Sequence, residues 1–155
     1  MNFLHKKKQA KTRVMFVCLG NACRSPMAEA VARKEASDIL EITSAGLTPM
    51  GFLPELTLET LKRNGYSTEA LTSKAIRREV LLNTDLVLNM SGQARAHALA
   101  AASQIEHWPV PDPYGEDEAT YQTILEDIQR RVRELGARLR KAQQRNEQAG
   151  KKQES

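Results

Sequence analysis

Cys18 and Arg24 stand with five residues between them in the stretch "CLGNACR", and a second cysteine, Cys23, falls inside the interval. Residues of these types at this spacing suit one kind of chemistry. If the chain curls around one centre, the backbone amides of Leu19, Gly20, Asn21, Ala22, Cys23, Arg24 and Ser25 can converge on an anion. Gly20 and Asn21 are residue types that supply the backbone angles such a curl needs. The guanidinium of Arg24 adds a planar fork matching two oxygens of a phosphoryl group. A thiol at position 18 would face that positive cradle, which favours its nucleophilic form. Thiolate plus oxyanion cradle is what attack on phosphorus requires.

Rival readings of the loop fail on the residues themselves. A structural zinc site needs more ligands than two cysteines, and His5, His97 and His107 lack ligand spacing, so no metal is expected. The nucleotide-hydrolase loop "GxxxxGK[ST]" does not occur. A nucleophile also needs a proton donor for the leaving group, and "VPDPYG" offers Asp112 between two prolines. Taken alone, Asp112 reads more readily as a simple turn or helix-entry aspartate. Tyr114 beside it can wall a pocket or pack on the final helix.

These residues need a scaffold that holds them together. Val14 to Val17 is an unbroken apolar run, suited to a strand buried on both faces. A helix should follow, with Ser25 as its N-cap and Pro26 at its first position, so that its unpaired amides and dipole face the loop. "EITSAG", residues 41–46, reads as a second strand. "PELTLETLKRNG" reads as a helix opened by Pro54 and closed by Gly65. "TDLVLNM", residues 84–90, reads as a third strand, with a helix capped by Ser91 after it and "IEHWPV" as a shorter fourth strand. From about Glu116 to Lys141, apolar residues recur at three- and four-residue steps, from Tyr121 to Leu139. Strands alternating with helices imply an α/β fold of three layers: a central four-stranded parallel sheet with helices on both faces. In such sheets, sites form beyond the carboxyl ends of strands, where Cys18 and Asp112 should both lie.

Composition bounds the class. At 155 residues the chain fits one domain with a real core. The net charge of +4 belongs to the amino terminus: residues 1–13 hold five basic side chains and no acid, leaving the rest at −1. The expected organisation is a flexible basic tail over 1–12, a single domain over 13–141 and a frayed polar tail over 142–155. A few aromatics and no binding motif argue against nucleic acid as partner. No apolar run approaches a membrane span, and no leader peptide is legible, so a cytoplasmic protein with free thiols is expected.

The chain resembles the low-molecular-weight protein tyrosine phosphatase family. The resemblance rests on "VCLGNACRSPMAEA", on "TSAG" at 43–46, on "TDLVLNM" and on "DPYG" at 112–115. It implies that Cys18 attacks a phosphomonoester, that Arg24 and the loop amides hold the equatorial oxygens, and that Asp112 protonates the leaving oxygen. It further implies that Ser25 hydrogen-bonds the thiolate, that Asn21 shapes the cradle, and that Ser44 supports it. Cys23 matches a second loop cysteine able to form a reversible disulfide with the nucleophile. No cofactor is implied, and the substrate would be a phosphotyrosine-containing protein acted on by a monomer.

Some positions depart from the family pattern. Many members carry a histidine near Leu71 that supports the loop asparagine, an aspartate where Ser91 stands, and a pocket aromatic near Met50. Phe52 and Tyr114 are then the expected pocket walls. Ala22 commits neither to the isoleucine common among tyrosine phosphatases nor to the threonine of relatives acting on phosphoarginine. Phosphotyrosine is the expected substrate, because a phenol leaving group suits a general-acid loop with an aromatic wall. Protein-arginine phosphatase, arsenate reductase completed by an external thiol, and an inactive phosphate-binding or redox-sensing module are the alternatives.

Overall fold

The computed structural model describes residues 10–154. Its centre is strand β1 (Thr12–Cys18), in which Val14 to Cys18 are all buried. β1 pairs in parallel with β2 (Leu40–Gly46) on one side and β3 (Leu86–Asn89) on the other, and β3 pairs in parallel with β4 (Ile105–His107). The order is β2-β1-β3-β4. Connections therefore leave β1 in opposite directions, which opens a crevice at its carboxyl end, and Cys18 is the last residue of that strand.

Alternation along β1 divides the core in two. Val14, Phe16 and Cys18 face helices α1 (Arg24–Glu35), α2 (Glu55–Arg63) and α4 (Glu118–Glu154), whose Met27, Val31, Leu61, Leu125 and Ile128 share that cluster. Met15 and Val17 face Leu81 of α3 (Arg78–Leu82) and Leu99 of a 3-10 turn at His97–Leu99. The expected three layers are present. Nine consecutive residues of α1, Arg24 to Ala32, are buried, because the helix lies between the sheet and α4. Its alanines at 28, 30 and 32 let both neighbours come close. Side chains of Met27 size buried there contribute roughly 1.5–3 kcal/mol each.

Several boundaries differ from expectation. The helix after the loop begins at Arg24 with Cys23 as N-cap and no side-chain cap. The Ser25 hydroxyl is engaged by its neighbours in the site instead, and Pro26 is the third helical residue, where its missing N–H still costs nothing. Pro54 is the N-cap of α2 rather than its first residue. No helix is capped by Ser91: Gly92 takes φ +78, and the Ser91 hydroxyl donates to Asn89 Oδ1 at 2.7 Å, a local bond that competes with helix. α3 was not expected. The last helix starts after Asp117, whose carboxylate accepts the Thr120 amide at 2.9 Å and is held below its usual range by Thr120. It then runs to Glu154, through the end expected to fray, because residues 140–149 are mostly good helix formers. Of the expected basic tail, residues 1–9 lie outside the described residues, and Thr12 already belongs to β1. Among the described residues, no helix is long and apolar enough to cross a membrane.

Candidate active site

The loop between β1 and α1 curls because its carbonyls are engaged from outside. Leu47, Thr48 and Met50 donate their backbone amides to the carbonyls of Cys18, Leu19 and Gly20 at 3.1, 2.8 and 2.9 Å. Thr57 Oγ1 donates to the Ala22 carbonyl at 2.9 Å. A carbonyl and the following N–H point oppositely across a planar peptide, so the amides of Leu19, Gly20, Asn21 and Cys23 face the concave side. Asn21 is the one non-glycine residue with positive φ, +46°, among the described residues. Gly46 lies against it: a Cβ there would fall 2.7 Å from the Asn21 backbone nitrogen. Only glycine allows β2 and the loop to approach so closely.

Asn21 is buried, and each end of its amide is used. Lys74 N–H donates to Oδ1 at 2.9 Å, while Nδ2 donates to Ser25 Oγ at 2.7 Å and to Ser44 Oγ at 3.1 Å. Ser25 Oγ in turn lies 3.0 Å from Cys18 Sγ. The support expected from a histidine near Leu71 comes instead from the Lys74 backbone and Ser44; Leu71 itself packs in the apolar core.

Cys18, 2 % exposed, lines a cavity of about 260 Å³ together with Gly20, Ala22 and Cys23. Arg24, Asp112, Leu19, Thr48, Met50 and Tyr114 complete its wall. Arg24 Nη1 is anchored by the carbonyls of Met90 at 2.5 Å and Val110 at 3.1 Å, beyond β3 and β4. Its Nη2 lies 3.6 Å from Asp112 Oδ2. Its Nε is the only buried side-chain nitrogen or oxygen among the described residues without a hydrogen-bond partner. Asp112 is half exposed, and its Oδ1 accepts the Tyr114 amide at 3.1 Å in a turn between Pro111 and Pro113.

The fold thus brings together every residue of the loop, Arg24, Asp112 and Tyr114. Phe52 is the exception. It stands 54 % exposed, and its place in the wall is taken by Met50, because the chain turns at Gly51 with φ +82. Sequence reasoning also missed Glu29, Lys74, Gly46 and Thr48; of these, "TSAG" and "SPMAEA" contained Gly46 and Glu29 without revealing their use. Cys23 is buried with its sulfur 3.4 Å from the Tyr121 hydroxyl. Burial pushes the Cys23 thiol above its ordinary range, and hydrogen bonds from Thr57 and Tyr121 partly offset this. Both cysteines are free thiols. Among the described residues, no three His, Cys, Asp or Glu side chains gather as a metal site. A sulfur beneath inward-facing amides, an arginine fork and a carboxyl group form a set able to transfer a phosphoryl-like oxyanion to sulfur and release it to water.

A family model described as low molecular weight phosphotyrosine protein phosphatase matches residues 13–145. Arsenate reductase 1 of Bacillus cereus is 30% identical over 125 residues, covering 79% of this chain and 92% of that protein. An arsenate reductase of Staphylococcus aureus is 30% identical over 120 residues, covering 76% and 91%. Among solved structures, an arsenate reductase in its phosphate-binding state superposes with TM-score 0.74 at 26% identity, covering 83% of this chain and 98% of that one. The YwlE arginine phosphatase with a phosphorylated active-site serine gives TM-score 0.76 at 26% identity, covering 84% and 97%.

Proposed function

The chain belongs to the low-molecular-weight phosphotyrosine protein phosphatase family, and from that premise we propose that it hydrolyses phosphotyrosine in proteins through a cysteinyl-phosphate intermediate. In this reading Cys18 Sγ attacks phosphorus while the S–P bond forms and the P–O bond to the phenol breaks. Asp112 gives its proton to the departing phenolate oxygen. Arg24 and the loop amides hold the three equatorial oxygens throughout. Asp112 then takes a proton from water as that water attacks phosphorus, the S–P bond breaks, and inorganic phosphate leaves. The Ser25 hydroxyl stabilises the sulfur as it departs.

The observation that carries this reading is the shared cavity of Cys18, Arg24 and Asp112. Cys18 is buried within it, so a phosphate must be presented on a long side chain. Leu19, Met50 and Tyr114 in the same lining suit a flat aromatic ring. A second reading, arsenate reduction, is favoured by the names of the Bacillus and Staphylococcus relatives. Both cysteines of this chain lie in the loop, so reduction would finish on an external thiol. A third, phosphoarginine hydrolysis, follows the YwlE likeness, and Ala22 leaves room for it.

One comparison separates them: turnover of phosphotyrosine, phosphoserine and phosphoarginine peptides beside arsenate with glutathione. Phosphotyrosine is expected to lead, with activity abolished in Cys18→Ser. Predominant phosphoarginine or arsenate turnover would replace the substrate assignment. Robust turnover by Cys18→Ser would overturn the mechanism.

Cys23 is read as the partner of a reversible disulfide. Peroxide would oxidise Cys18 to the sulfenic acid, and the Cys23 thiol would displace water from it to form the S–S bond. Cys23→Ala should then lose recovery by thiols after peroxide; recovery equal to that of the unaltered protein would remove the role.

A further inference from the structure

Glu29 has no part in the chemistry described above, yet it is a carboxylate only 2 % exposed, one helical turn beyond the anion loop. A buried carboxylate is costly unless every lone pair is engaged. Arg33 donates to Oε2 from Nε at 2.9 Å, and its Nη2 lies at ion-pair distance, 2.9 Å, from the same oxygen. Ser44 Oγ donates to Oε1 at 2.5 Å, and the Lys74 ammonium lies 4.0 Å from the same oxygen. Lys74 Nζ also reaches Ser44 Oγ at 3.4 Å.

These contacts give a hydrogen-bond chain a direction. The Lys74 backbone amide occupies Asn21 Oδ1, so the nitrogen of that side-chain amide is the donor toward both serines. Ser44 Oγ therefore receives protons from Asn21 Nδ2 and Lys74 Nζ, and its own proton goes to Glu29. Ser25 Oγ likewise receives from Asn21, and its own proton has two acceptors in reach, Cys18 Sγ at 3.0 Å and the Ala45 carbonyl at 3.4 Å, of which the sulfur is the nearer. If Ser44 turned its proton toward Asn21, two donors would meet and the amide would be displaced. The charge-assisted bond to Glu29 prevents that reversal.

We propose that Lys74 and Glu29 are positioning residues that set the direction of this chain, so that Ser25 donates to the sulfur of Cys18. The inference rests on the hydrolytic function proposed above. Glu29 faces the cations Arg33 and Lys74; Cys18 faces Arg24 and Asp112, with Cys23 beside it in the loop. Partial burial lowers the Lys74 pKa, and Glu29 opposes that lowering. The ammonium is thus tied to the buried carboxylate, while the backbone amide that fixes Asn21 is untouched by any side-chain substitution.

The test is alkylation of Cys18 by iodoacetamide, located by fragmentation mass spectrometry, in Lys74→Met and Lys74→Arg. Lys74→Met should slow alkylation at neutral pH by about tenfold. Lys74→Arg should restore it. In a Ser44→Ala background the chain is already cut, so Lys74→Met should add no further loss. In turnover assays kcat should follow alkylation while KM stays level. Equal alkylation by Lys74→Met and the unaltered protein across pH would overturn the proposal, as would an unrestored Lys74→Arg. Alkylation needs no substrate, so an unaltered protein inactive on every phosphate ester would defeat the proposed function and leave this test standing.

Discussion

Arg24 Nη2 lies 3.6 Å from Asp112 Oδ2, so the proposed phosphate clamp and the proposed proton donor meet at ion-pair distance on the cavity wall. A bound phosphate dianion would compete with Asp112 for that nitrogen and free its carboxyl group to face the leaving oxygen. Asp112→Asn should therefore lower kcat by about 10²–10⁴-fold while KM stays level or falls. The loss should be larger for phenyl phosphate than for 4-nitrophenyl phosphate, whose leaving group needs less protonation. Equal losses for the two esters would exclude Asp112 as the proton donor.

Asn21 combines a backbone conformation that few residues tolerate with a side chain that joins Lys74, Ser25 and Ser44. Two substitutions separate these contributions. Asn21→Gly keeps the left-handed angle and loses the hydrogen bonds; Asn21→Ala loses both. Alanine there should cost about 1–2 kcal/mol more stability than glycine. Both should lower kcat alike, because both free Ser25 from its partner. Thermal melting checks the first expectation and steady-state kinetics the second. An active Asn21→Gly protein would show that the loop needs only the backbone angle.

Gly46 tests how tightly β2 supports the loop. An alanine Cβ would meet the Asn21 nitrogen at 2.7 Å and the Leu19 carbonyl at 2.9 Å, both backbone atoms that cannot rotate away. Gly46→Ala should destabilise the protein by about 1–3 kcal/mol and lower kcat by shifting the cradle. Urea unfolding beside kinetics would check it. Full activity with lowered stability would place the strain away from the loop.

What could be read before the fold was known depended on distance along the chain. Cys18, Asn21, Arg24 and Ser25 lie within one strand-loop-helix unit, so their meeting follows from local geometry. Asp112 was legible because parallel strands deliver their carboxyl ends to one edge. The Lys74 and Glu29 side chains were not, since they reach Asn21 through Ser44, a link that appears only when β2 lies beside β1. Phe52 was misplaced because side-chain direction after a left-handed glycine at 51 is not set by residue type. The helix expected from Ser91 failed for a related reason: Gly92 and the Ser91 hydroxyl favoured a turn over the apolar spacing downstream.

Cys23 should make the protein sensitive to alkali. Its ordinary value is 9.0, and burial pushes it higher in the folded state. As pH rises through that window, the unfolded chain loses the thiol proton first while the native protein still holds it. The native state then binds more protons than the unfolded state, so unfolding free energy falls as pH climbs. Tyr121, raised mainly by its own burial and then by the Cys23 contact, extends the loss to higher pH. Removing the thiol removes its share of the slope. Cys23→Ala should be less stable at pH 7.5, where the cost is packing and the lost contact with the Tyr121 hydroxyl, yet lose less between pH 8.5 and 10.5. Urea unfolding at a series of pH values, in reducing buffer to exclude disulfides, gives both slopes. Parallel slopes for Cys23→Ala and the unaltered protein would mean that the buried thiol does not control the alkaline limit.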